Sequence, residues 1–185
     1  YFWRDIDINS WPNSDYSSNA PDGTDWLNFM AGFPGSAVIG ATRRLERERS
    51  EVWFAWTAAR GGGYPHPYVE VLVLDTSSWT VIDQWPIWNP DIAFAYPSLT
   101  TNRDGEVGIS LGWGGNASYA NHAVGILGDF VVWFSELSDA ALTRWGDYVT
   151  ARQCSPAGEL FAGVGYAVLA NTPPATGVRI NTRYV

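Results

Sequence analysis

Apolar and polar positions along this chain alternate in short runs, and helical spacing is almost absent. Glu51 to Trp56, Tyr68 to Leu74, Pro97 to Arg103, His122 to Leu127 and Val178 to Val185 read as strands, and YFWRDIDI at the start of the chain alternates in the same way. The one helix-like stretch, RRLERERSE from Arg43 to Glu51, falls between two strand candidates. Its mixed charges predict a solvated hairpin tip.

The runs recur. Residues 105–113 read GEVGISLGW and residues 158–166 read GELFAGVGY, 53 positions apart, and Glu51-Val52-Trp53-Phe54-Ala55-Trp56 begins a third copy 55 positions before Glu106. A further strand candidate precedes each copy: Ala37 to Arg43, Pro97 to Arg103, and Asp147 to Arg152. Another run follows each, so the unit is strand, turn, strand, loop, strand, with Asp104-Gly105 and Ala157-Gly158 as hairpin turns. All-β units of this period, rich in Gly and Trp, are the mark of propeller blades.

The expected fold is therefore an all-β propeller segment. It comprises about three four-stranded blades over residues 33–90, 91–140 and 141–185, preceded by an N-terminal strand and loop, residues 1–32, that form a partial blade. Propellers close with about four to eight blades, so three cannot complete a ring. Open blade edges predict a partner, and the missing blades are expected on another chain, on a second copy or on an absent N-terminal segment. A first residue other than methionine, in a segment that already reads as a strand, fits a processed or excised form.

Composition narrows the chemistry. There is no lysine, which excludes Schiff-base catalysis and the phosphate-binding P-loop. A net charge of -8 argues against nucleic-acid binding, which needs a basic surface. No apolar run is long enough to span a bilayer. The single Cys154 has no partner for an internal disulfide and reads as a small buried hydrophobe.

Two segments carry a resemblance. Tyr96-Pro97-Ser98-Leu99 with Asn102-Arg103-Asp104-Gly105-Glu106-Val107-Gly108, and Arg144-Trp145-Gly146-Asp147-Tyr148, resemble the last blades of sialidase-like β-propellers, six- or seven-bladed, from bacterial exported and hypothetical proteins. The similarity covers about residues 33–185, and the RWGDY element is its most specific part. It implies an exported location, extracellular or in the cell envelope. No Asp-box of the form S-x-D-x-G-x-T-W stands here, and Asp22-Gly23-Thr24-Asp25-Trp26 is a distorted echo of one. The resemblance thus carries the fold and not the reaction.

Candidate ligand residues cluster at RWGDY, where Arg144 and Asp147 would present a charged pair and Trp145 and Tyr148 stacking faces. An Arg144 to Asp147 bridge pinning the loop, with the rings packed between blades, is the competing role. Arg4, Arg103 and Arg144 would face a common ligand if they converge, and Tyr96 lies in the other resembling segment. Asp5 and Asp7, at i and i+2 on a strand, point to one face and are weak candidates for a calcium ion. His122 opens a strand and would face the pore, whereas neither it nor His66 has a second ligand at zinc spacing. No cofactor is implied.

Trp11, Trp26, Trp88 and Trp113 stand in Gly, Asn and Pro-rich contexts and would stack on sugar rings if exposed, though most tryptophans of a propeller fill the space between sheets. Three functions compete. The first is a non-catalytic ligand-binding or assembly module for carbohydrate or protein. The second is part of a sialidase-like glycan-active hydrolase or lyase whose other blades lie elsewhere, and the third is a structural subunit. No catalytic residue is assigned.

Overall fold

The computed structural model describes residues 3–27, 38–46, 48–129, 133–134, 137–146, 149–171 and 176–184. Every regular element among them is a strand. The strands are β1 (Gly40–Glu46), β2 (Arg49–Ala58), β3 (Tyr68–Asp75), β4 (Thr80–Ile87), β5 (Ala93–Thr101), β6 (Val107–Gly115), β7 (Ser118–Ile126), β8 (Trp133–Phe134), β9 (Thr150–Gln153), β10 (Phe161–Ala170) and β11 (Val178–Tyr184).

They form three antiparallel sheets, each a meander in chain order: β1-β2-β3-β4, β5-β6-β7-β8 and β9-β10-β11. The mixed-charge stretch forms the tip of the β1–β2 hairpin, with Glu46 paired to Arg49. Its charges are not all solvated. Glu51 is buried, and its carboxylate accepts from Arg44 Nε at 2.9 Å, Arg49 Nε at 2.7 Å and Trp53 Nε1 at 2.9 Å. Burial of a carboxylate is tolerable here because each oxygen has cationic or N–H partners.

The first strands of the sheets lie side by side, β1 against β5 and β5 against β9. The Thr42 and Thr101 hydroxyls are 2.9 Å apart, and the Ala151 N–H donates to Ser98 Oγ at 3.0 Å. The β5–β6 and β9–β10 hairpin ends also touch, through the Arg103 N–H to the Gly158 carbonyl at 2.7 Å and an Arg103 to Glu159 ion pair. Gly105, expected in a turn, has φ +84, a backbone region that favours glycine.

The two interfaces between sheets are built differently. Between the first and second, alternate residues of β2, β3, β5 and β6 form an apolar layer: Trp53, Ala55, Val69, Val71 and Val73 meet Leu99, Val107, Ile109 and Leu111. Between the second and third, glycines on both strands admit the opposing side chains. Phe161 lies where a side chain at Gly108 would project and Trp145 where one at Gly112 would; Val124 and His122 do the same at Gly163 and Gly165. The glycines of the two repeats thus serve one interface from opposite sides.

Residues 3–11, whose first part was expected to supply a strand, form no ladder in the described residues. The alternation has another cause. Ile6, Ile8 and Trp11 pack on Phe54, Trp56, Leu72 and Leu74 of the first sheet, and Asp5 and Asp7, which alternate with the isoleucines, face solvent. Gln84 fastens this strap, accepting from the Asn9 N–H at 2.8 Å and donating to the Asn9 carbonyl at 3.0 Å.

Candidate functional site

The sequence candidates are spread over the fold. At the end where β5 and β9 begin, Trp145 is buried, with Trp26 at 5.5 Å edge-on and Tyr166 at 5.0 Å between ring centroids. Tyr96, with φ +55, packs its ring against Gly146 and lies 6.3 Å from Trp145. The Gly146 N–H donates to the Tyr166 hydroxyl at 2.8 Å, and its φ of +112 suits the one residue type without a Cβ there. Gly146 therefore serves a close approach of rings. Trp145 offers no free face for stacking, and Arg144 beside it is exposed. Asp147 and Tyr148 lie outside the described residues.

The three arginines do not converge. Arg4 Nη1 donates to the Ser78 carbonyl at 3.0 Å, in the β3–β4 turn, and that turn is joined to β2 by Thr76 N–H donating to the Ser50 carbonyl. Arg103 is in the neighbouring β5–β6 hairpin. Both are at the hairpin end of the sheets, whereas Arg144 precedes β9 at the other end.

Asp5 and Asp7 are exposed on the strap. No group of three or more His, Cys, Asp or Glu side chains able to hold a metal occurs among the described residues. Cys154 is half-buried after β9 rather than a core residue.

His122 sits between the second and third sheets, almost fully buried against Gly165. Its Nε2 is 2.6 Å from Ser110 Oγ, itself buried. Burial lowers its pKa from 6.5 to about 4, so the ring is neutral at neutral pH. Both members of the pair are buried, and the His122 ring packs directly on the Gly165 backbone.

The open feature lies elsewhere. At the end of β4 in the first sheet, a groove of about 460 Å³ runs between Pro86–Asn89 and the face of β6 and β7 in the second. Trp88 and Trp113, two of the four candidate stacking tryptophans, both line it, with Phe94, Ile92 and the Asn89 amide. Trp113 is half-buried, and Trp88 keeps 47% of its surface exposed. Tyr64 meets Trp88 edge-on at 5.4 Å, which fixes the indole in place before any ligand arrives.

Trp26 is the opposite case, since its ring has no exposed surface and its Nε1 donates to Ser18 Oγ at 2.9 Å. Trp11 is half-buried in the strap. Sequence reasoning left out Asn89, Ile92 and Phe94 of the groove lining, and Tyr64 packed on Trp88. The Trp88-Asn89-Pro90 exit from β4 was the available signal.

No helix among the described residues is long and apolar enough to cross a membrane. Searches against protein-family models, curated proteins and solved structures give no match to this chain.

Proposed function

We propose that the chain is a ligand-binding module of β-propeller type and that the Trp88–Trp113 groove takes a carbohydrate. The architecture is supported by three consecutive meanders whose first strands gather side by side, as the inner strands of blades do. On this reading, further blades, from a partner chain, a second copy or more of the same chain, complete the ring. The resemblance to sialidase-like propellers agrees with that geometry and supplies an exported location.

The groove carries the functional part of the proposal. A pre-oriented, exposed indole beside an amide offers what a pyranose needs: a flat apolar surface for its C–H face and a polar group for its hydroxyls. Its lining supplies binding surface and no acid or base, so the assigned role is recognition rather than bond cleavage. Calorimetric titration with a panel of neutral and acidic oligosaccharides tests the reading. At least one is expected to bind the wild type and to lose about tenfold in affinity in Trp88→Ala. Failure of every member of the panel to bind would overturn it.

A further inference from the structure

A sugar ring alone does not match what the Trp88–Trp113 groove offers. Apart from the two indoles, the Asn89 amide is the one polar side chain among the described residues that line it, and the Trp113 Nε1 is itself buried. The Asp91 N–H donates to Asn89 Oδ1 at 2.8 Å, which fixes the amide and takes one of its hydrogen-bonding positions. What remains serves one edge of a pyranose. Further hydroxyls pressed into the groove would lose water and find no partner.

The rest of the lining is hydrocarbon. Ile87, Ile92, Phe94, Ile126 and Leu127 are only half-buried, so apolar surface beyond the Trp88 ring is within reach of a ligand. The end of β4, the entry to β5 and the end of β7 all contribute to it, so it is more than one stray side chain. The volume of about 460 Å³ lies within the roughly 300–1,000 Å³ of sites for drug-sized ligands, more than one ring stacked on an indole requires.

We propose, resting on the carbohydrate reading of this groove, that its ligand is a glycoside with an aliphatic aglycone. The sugar stacks on Trp88 beside Asn89, and the hydrocarbon lies on the apolar wall of Ile92, Phe94, Ile126 and Leu127. Burial of the aglycone is non-directional and needs no hydrogen bond, so the scarcity of polar groups does not weaken it.

Calorimetric titration of the full chain with methyl β-D-glucopyranoside, hexyl β-D-glucopyranoside and 1-hexanol separates the two halves of the ligand, the hexyl glucoside being kept below its micelle-forming concentration. The hexyl glucoside is expected to bind at least about tenfold more tightly than either of the others, since burial of two methylene groups already supplies that factor. Ile92→Asn should narrow the gap between the two glucosides by about threefold or more, with the melting temperature as the check on folding. Equal affinity for the two glucosides, both weakened in Trp88→Ala, overturns the aglycone and leaves the sugar site standing. Equal affinity for hexyl glucoside and hexanol overturns the inference together with the carbohydrate reading, because the sugar would then contribute nothing. No binding of the hexyl glucoside also overturns the inference, and the oligosaccharide panel then judges the sugar site alone.

Discussion

The contact between the second and third sheets and the contact between the first and second are both built on the second sheet and turned to opposite uses. In the former, Gly108, Gly112, Gly163 and Gly165 let rings and branched side chains lie directly on backbone, and the seam closes over His122 and Trp145. In the latter, large side chains from both sheets fill the inner part, and the outer part stays open as the Trp88–Trp113 groove. Glycine at the closed seam lets the opposing rings approach backbone, whereas at the other contact large side chains hold the sheets apart. The same residue type, tryptophan, is thus core at one seam and surface at the other.

The sharpest way to break this contrast is to remove the ring that seals the closed seam. Trp145→Ala should destabilise the fold by about 3–5 kcal/mol, read as a lower denaturant midpoint, because the cavity would open among Trp26, Tyr96 and Tyr166. A shift within error would mean that the rings close over the gap at little cost.

Next in size is the pH response of the same seam. His122 has its pKa lowered from 6.5 to about 4 in the folded state, so the unfolded chain binds more protons between those values. Stability is then greatest above about pH 6.5 and falls as pH drops toward 4, by on the order of 3 kcal/mol in full. Glu70 opposes this, because burial raises its pKa above 4.5 and its contribution is lost as pH rises. The difference in urea midpoint between wild type and His122→Gln, followed from pH 7 to pH 4, isolates the histidine. A difference constant with pH would show that the ring is as easily protonated in the fold as outside it.

Gly165→Val should cost about 1–3 kcal/mol, since the added methyls collide with the His122 ring. Thermal unfolding measures it, and an unchanged melting temperature would mean that the second and third sheets can part without penalty. At the open seam the expected change is the smallest. Trp88→Ala should alter stability by no more than about 0.5 kcal/mol, the range of surface substitutions, because half of the ring is already in water.

Much of this architecture was legible in the sequence. The alternation in Glu51 to Trp56 and the Asp104-Gly105 turn give strands and a hairpin because period-two patterning and a left-handed glycine are local properties. The site was less legible, since exposure is set by what arrives from elsewhere in the chain. Trp26 stands in a loop context yet is buried beside Trp145, and Asp5-Ile6-Asp7-Ile8 alternates like a strand although a sheet face, not a ladder, imposes the pattern. The interface glycines were visible as a repeat, but the rings they receive come from other strands and loops. Of the four candidate stacking tryptophans, the groove brings together Trp88 and Trp113, and that pairing depends on how two sheets diverge.

The most direct measurement sets the two regions against each other: the affinity of Trp88→Ala and of Arg144→Ala for a saccharide that the wild type binds, each with its melting temperature. The groove account predicts about a tenfold loss in Trp88→Ala at an unchanged melting temperature, and wild-type affinity in Arg144→Ala. Wild-type binding by Trp88→Ala together with loss in Arg144→Ala would contradict it and return the ligand to the end where β9 begins.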